Sequence, residues 1–176
     1  GNVIWFSSGA VGHIDASTCP VCGAVLAWAP GGLRYSCACG FSKPTPNWVL
    51  NDNNLHGPNG QAIEVRSGIP GRAALSNCAR AIIAASALGV SLTTSASAIA
   101  QIRSVDGRFG TLRIGATKFR LLLSKNPASW RETLETSASG PRTVLLDVNA
   151  NTQDGKDTSW LWDVDYTPLR GRTVLV

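Results

Sequence analysis

Four cysteines constrain this chain more than any other feature. They form two arms, Cys19-Pro-Val-Cys22-Gly and Cys37-Ala-Cys39-Gly, joined through Trp28, Gly31-Gly32 and Tyr35 in what reads as a strand, a turn and a strand. Thiolates so spaced suit a tetrahedral, closed, structural Zn²⁺ site, so a zinc ribbon is expected over about 17–41. The second arm is C-x-C where most ribbons carry C-x-x-C. Two blander readings compete with metal. The thiols can be unligated packing groups, or Cys19-Cys22 can be a redox pair, although no βαβ pattern surrounds it. The fifth cysteine, Cys78, stands alone in an Ala-rich helical stretch and reads as packing.

With 176 residues, 44% of them hydrophobic, the chain can bury a core, and wholesale disorder is excluded. No apolar run approaches the ~20 residues that span a bilayer, and Gly1 to Phe6 lacks the form of a signal peptide, so a cytoplasmic protein is expected. There is no Met, the sequence opens on Gly1 and runs at once into Val3-Ile4-Trp5-Phe6, and it stops within Thr173-Val-Leu-Val176. A piece of a longer polypeptide is expected. The net charge of +5 raises the question of nucleic acid. The cations are diffuse, however, and not interleaved with aromatics for base stacking, while Asp147, Asp154, Asp157, Asp163 and Asp165 crowd the later part. A zinc-ribbon nucleic-acid-binding module is therefore the alternative, not the main reading.

Along the chain, Val3–Ser7 reads as a strand, and Trp48–Leu50 and Ala62–Arg66 as two strands paired across a turn-rich link. A helix opens at Gly71 and ends at Gly89, with Ala74, Cys78, Ile82 and Ala85 on its apolar face. A second runs from Thr93 or Thr94 to about Val105. Beyond a composition break at Asp106–Gly110, Leu112–Ile114 and Lys118–Leu123 form a hairpin, and Pro127 to about Ser137 a helix. Thr143–Val148 reads as a buried parallel strand whose polar end loop, Asn149–Asp157, lies where α/β sheets hold ligands. Ser159–Trp162 would begin another helix, and Thr173–Val176 another strand.

Several strings in this order carry a resemblance: the four-Cys ribbon, the helix of 71–88, Gly107-Arg108-Phe109, Lys125-Asn126-Pro127-Ala128, and Asp154-Gly-Lys-Asp157-Thr-Ser-Trp-Leu-Trp162-Asp163. They resemble the MurT family, the Mur-ligase-like subunits of lipid II isoglutaminyl synthase. The resemblance implies an α/β fold. Residues 1–105 would be the C-terminal part of a Mur-ligase central domain with the zinc ribbon inserted, and 106–176 the first part of a Rossmann-like C-terminal domain. It implies an ATP- and Mg²⁺-dependent, glutamine-hydrolysing amidoligase of peptidoglycan biosynthesis. Such an enzyme converts the D-glutamate α-carboxyl of the lipid II stem peptide to the amide with ammonia from a partner glutaminase, GatD. A relative of the Mur and folylpolyglutamate ligases that joins an amino acid is the other ligase reading.

The same resemblance points to individual residues. Asn77 would meet the adenine, although Ala74 replaces the first Asn of that motif; a helix-packing hydrogen bond is the alternative. Arg108 would reach the nucleotide phosphates, or else is a solvated linker cation. Lys125 and Asn126, at a strand-to-helix turn, would meet a phosphate or stem-peptide carboxylate, or else form a helix cap. Ser129 stands where members usually have Gly. An Asp of the acidic loop would orient the catalytic His of the partner glutaminase, with Asp157 chosen over Asp154. Trp160 and Trp162 read as core and interface anchors. His13 and His56 pair with no acid or nucleophile and receive no role. The Gly-x-x-x-x-Gly-Lys-Ser/Thr of a P-loop is missing, so this chain alone is expected to be inactive.

Overall fold

The computed structural model describes residues 3–9, 17–106, 108–138, 140, 143–150 and 156–176. They form two compact units, one of residues 1–66 and 76–99, the other of 67–75 and 100–176.

The first unit holds a four-stranded sheet and the cysteine ribbon. Strand β1 (Phe6–Ser7) comes first, followed by the ribbon strands β2 (Ala27–Trp28) and β3 (Tyr35–Ser36). Then come β4 (Trp48–Asn51), β5 (Asn54–His56) and β6 (Ala62–Glu64). The sheet order is β1-β4-β5-β6, with β1 parallel to β4 and the remaining pairs antiparallel. The expected direct pairing of 48–50 with 62–66 is therefore corrected: β5 stands between them. Its signal was hidden in an Asn-rich stretch, where Asp52 takes the left-handed conformation (φ 49°) in a two-residue turn that brings Asn54 opposite Asn51. Leu55, the one apolar residue of β5, is wholly buried, as are Leu50 and Val65. Gly57 packs against the Trp48 ring so closely that a Cβ there would collide with it.

Helix α1 (Arg72–Ala87) ends where Gly89 turns left-handed (φ 89°). Its buried residues are Ser76, Ala79, Ile82 and Ile83, so the core face is rotated from the expected one; Ala74, Cys78 and Ala85 are half-buried at its margin. The two isoleucines carry more apolar area than the alanines and set the orientation. Helix α2 (Leu92–Ile99) packs against β6, begins earlier than expected and stops six residues short of Val105. Ser91 caps it, its Oγ accepting the Thr94 N–H at 3.1 Å, and the Arg103 guanidinium closes the other end on the Ala100 carbonyl.

In the second unit, β7 (Phe109–Ile114) and β8 (Thr117–Leu122) form the expected antiparallel hairpin, turning at Gly115 (φ 58°). Helix α3 (Pro127–Ala138) carries Pro at its first position. Strand β9 (Thr143–Leu145) is half the expected length and lies parallel to β10 (Thr173–Leu175). Ser159–Asp163 is one 3₁₀ turn and not the start of an α-helix, and Thr167–Leu169 is another. The aromatic and acidic run has no apolar stripe at helical spacing to extend it. Trp130 and Leu134 of α3 pack with Val164 and Leu169 as the core, flanked by Val144, Leu146, Trp160 and Leu161. The Trp130 ring lies 6.3 Å from both the Trp160 and the Tyr166 rings.

Candidate functional site

The two cysteine arms fold into matching knuckles of unequal size. In the first, the Gly23 N–H reaches back to the Cys19 carbonyl (2.8 Å), and the Cys19 N–H donates to the Ala24 carbonyl (2.7 Å). In the second, Gly40 donates to the Cys37 carbonyl (2.9 Å), a turn one residue tighter, while the Cys37 N–H meets the Phe41 carbonyl at 2.7 Å. The missing residue of the C-x-C arm is absorbed in that tighter turn, with Gly40 at φ 90°. Strands β2 and β3 hold the arms in register through Trp28 and Tyr35, whose rings meet edge-on at 5.0 Å, and Phe41 stacks on Tyr35 at 5.8 Å.

All four Sγ atoms consequently lie within 4.8 Å of one another. Two pairs bridge the arms within 4 Å, Cys19 to Cys39 at 3.7 Å and Cys22 to Cys37 at 3.5 Å. Zn–S bonds of about 2.3 Å in a tetrahedron place sulfurs about 3.8 Å apart, so the cluster has the size and donor set of a Cys₄ zinc site. Its electrostatics agree. Burial pushes the Cys19 thiol up, but the Cys22 and Val21 N–H groups, with the Cys39 and Cys37 thiols, outweigh this and bring it down to about 7. At Cys22 the Ala24 N–H favours the thiolate, yet the Cys37 and Cys39 sulfurs prevail and push it up to about 12. Without a cation the cluster supports only part of its charge. A divalent metal would remove that conflict by deprotonating the thiols it ligates. Zinc bound here by Cys19, Cys22, Cys37 and Cys39 would supply folding energy and no open coordination position.

The other expected site residues fall in both units. Asn77, exposed on α1, accepts a hydrogen bond from Arg80 Nη1 at 2.8 Å, and that guanidinium sits 5.5 Å from the Phe6 ring centroid. Arg108 is exposed, and its backbone ties the hairpin together: its N–H donates to the Val105 carbonyl (3.0 Å), and its carbonyl accepts from Leu123 (3.2 Å). Asn126 is the N-cap of α3, its Oδ1 accepting the Ser129 N–H at 2.9 Å. Ser129, three residues on, answers reciprocally: its Oγ accepts the Asn126 N–H (3.2 Å) and the Lys125 N–H (3.0 Å). Those two amides are spent inside the protein on the Ser129 hydroxyl. Ser129 was missed as a site-shaping residue, though the hydroxyl three positions after Asn126 is a legible capping signal. Glu132 was missed too. Its Oε1 accepts the Ala73 N–H (2.5 Å) at the start of α1, whose own first turn has no acid.

Asp157 is exposed, and its Oδ1 accepts the Ser159 N–H at 2.8 Å, starting the 3₁₀ turn. That bond, with one from the Ser159 side chain, holds its carboxyl below the usual range. Within the turn Trp160 is half-buried against the α3 core, while Trp162 is 92% exposed. Asp154, His13 and Gly107 lie outside the described residues.

Residues 123–175 match the family described as MurT ligase C-terminal. Over 171 residues the chain is 30% identical to the lipid II isoglutaminyl synthase (glutamine-hydrolyzing) subunit MurT of Streptococcus pneumoniae, across 89% of this chain and 38% of that protein. Its relatives are MurT subunits. The Staphylococcus aureus MurT is 24% identical over 166 residues, covering 88% of this chain and likewise 38% of the relative. The chain thus spans little more than a third of the length of the MurT relatives it matches. A pseudomurein peptide ligase type C from Methanothermus fervidus superposes with a TM-score of 0.65 at 18% identity, over 99% of this chain and 42% of that one, and shares the fold. No helix among the described residues is long and apolar enough to cross a membrane.

Proposed function

We propose that this chain is part of the amidating subunit of a lipid II isoglutaminyl synthase. The observation that carries the reading is the MurT likeness, which runs through nearly the whole chain and is matched at family level across 123–175. Residues 1–105 are read as the later part of the central, ATP-using domain with its ribbon, and 106–176 as the first part of the C-terminal domain. In the whole enzyme ATP activates the D-glutamate α-carboxylate as an acyl phosphate, and ammonia then attacks the acyl carbon with loss of phosphate. A glutaminase partner, GatD, releases that ammonia.

Within this scheme the chain's own residues hold, orient and assemble. Asn77 and Arg108 contact the nucleotide, and the Lys125 ammonium, beside the Asn126 cap, faces a phosphate or carboxylate. Asp157 reaches the partner's catalytic imidazole, fixing its tautomer and stabilising its charged form, with Asp154 as the alternative acid. Exposed Trp162 is the contact that anchors the partner. No P-loop sequence is present in these 176 residues, so nucleotide hydrolysis requires sequence beyond them.

The test is glutamine hydrolysis by the full-length subunit with its glutaminase, wild type against Asp157→Asn. An Asn oxygen can still accept the Ser159 N–H, so the turn survives while the charge is lost. The expected outcome is a rate lower by about 10²- to 10⁴-fold with the complex intact. An unchanged rate removes Asp157 from the reaction and leaves it as a cap. Failure of any complex to form overturns the synthase assignment.

A further inference from the structure

A cleft in the first unit belongs to none of the residues assigned above. It lies at the parallel strands β1 and β4, whose Ser7, Val49 and Asn51 line it. Two cations, Arg34 and Lys43, also line it, together with Thr45. None of the described residues that line it is acidic. Pro44 and Pro46 stiffen the segment that carries Lys43 and Thr45. The Lys43 ammonium spends one hydrogen on the Leu33 carbonyl (2.7 Å), which fixes it in place with its other hydrogens unspent there.

Both cations are held by the ribbon. Arg34 adjoins β3, and its carbonyl accepts the Ala29 N–H (3.0 Å); the Lys43 N–H donates to the Tyr35 carbonyl (3.0 Å). The placing of Arg34 and Lys43 therefore depends on the four-cysteine fold, whereas that of the strand residues does not. The cleft, about 180 Å³, is smaller than the roughly 300–1,000 Å³ that encloses a drug-sized ligand. Its lining is mostly apolar, so the polar group it would take is a small one, a phosphate or diphosphate at Arg34, Lys43 and Thr45, with the remaining body against the apolar part or outside.

We propose that this cleft binds the diphosphate group of an organic phosphate, and that it forms only when the ribbon holds its metal. The two are then linked reciprocally, metal loading raising anion affinity and the anion slowing metal loss. The inference is independent of the amidation reading, since it uses no residue assigned to that reaction.

Titration calorimetry of the zinc-loaded 176-residue chain with inorganic pyrophosphate tests it. Saturable one-site binding is expected, weakened about tenfold or more by Arg34→Gln and by Lys43→Gln. Arg113→Gln on the hairpin removes the same charge elsewhere and is expected to leave the affinity unchanged. Chelating the zinc is expected to abolish binding, and pyrophosphate to slow zinc transfer to a chromophoric chelator. Competition by ADP would identify a nucleotide as the source of the group, and competition by geranyl diphosphate a lipid-linked diphosphate. No binding, no competition by either, equal loss in Arg113→Gln, or full affinity in folded Arg34→Gln would each overturn the proposal. Arg34 is exposed, so its substitution leaves the fold intact, and circular dichroism verifies this.

Discussion

The ribbon and the α3 cluster are held together by different physics. Between 17 and 42 the strands are two residues long, and only Cys19 and Leu26 are buried, while Val21 and Val25 stand 70% and 79% exposed. Apolar burial of that size cannot offset the conformational entropy of ordering some two dozen residues. Around α3, by contrast, Trp130, Leu134, Val164 and Leu169 bury large side chains against one another. One region lacks an apolar core and gathers four sulfurs at a point where a metal could hold it; the other has a core of its own. If a metal holds the first, it is all-or-none in its ligands, whereas a packed region degrades by increments.

The largest effect expected is therefore metal removal. Structural zinc binds with an apparent free energy of about 10–16 kcal/mol, so chelation or Cys19→Ser should unfold the ribbon outright. The readout is loss of the near-ultraviolet signal of the Trp28–Tyr35–Phe41 stack, with about one equivalent of zinc in the wild type and none in the variant. Helix α3 and its cluster should keep their far-ultraviolet signal. If the stack survives without metal, the contrast between the regions is wrong. The reciprocal experiment is Leu134→Ala, at a side chain 1% exposed. It should cost about 2–5 kcal/mol in the second unit and leave the zinc content unchanged.

The same contrast explains what could be read from the sequence. The ribbon was legible because its information is local: ligand type, spacing, and a Gly after each arm. The hairpin and α3 were legible for the same reason, through two adjacent strand-like stretches and through cap signals at Asn126 and Pro127. Strand β5 was not, since Leu55 is a lone apolar residue among asparagines and is fixed by its neighbours across the sheet. The orientation of α1 was missed because alanines write a weak stripe that Ile82 and Ile83 override. At the site, the cysteine cluster was visible in full. The Ser129 hydroxyl was a legible cap that went unread, whereas the Glu132 oxygen on α1 emerged only from the geometry. The cleft of Arg34 and Lys43 is assembled from three separate segments that no spacing rule connects.

A smaller change sharpens the comparison inside the α3 region. Ser129→Gly removes the Oγ that accepts two backbone N–H groups and adds backbone freedom in the first turn of the helix, together about 1–2 kcal/mol of helix stability. It also releases the Lys125 and Asn126 amides. If those amides can receive an anion, the variant should bind sulfate at the α3 N-terminus more tightly than the wild type while being less stable, two shifts of opposite sign measurable in one thermal titration.

Acid distinguishes the regions most finely. In the ribbon, protons should compete with a bound metal for thiolates, so zinc affinity is expected to fall continuously as pH drops, with added zinc restoring the fold. Asp157 follows a different rule. Its folded carboxyl titrates below its unfolded value near 3.9, so its hydrogen bond to Ser159 contributes fully above that value and is lost as pH falls through the depressed folded one. The side chain is exposed, so the change is small, and zinc cannot reverse it. Tryptophan fluorescence of the 3₁₀ turn should therefore show a shallow transition below about pH 4 that Asp157→Asn abolishes and metal leaves untouched. A transition that follows zinc release instead would mean that the turn answers to the ribbon, and the two regions would no longer be separable.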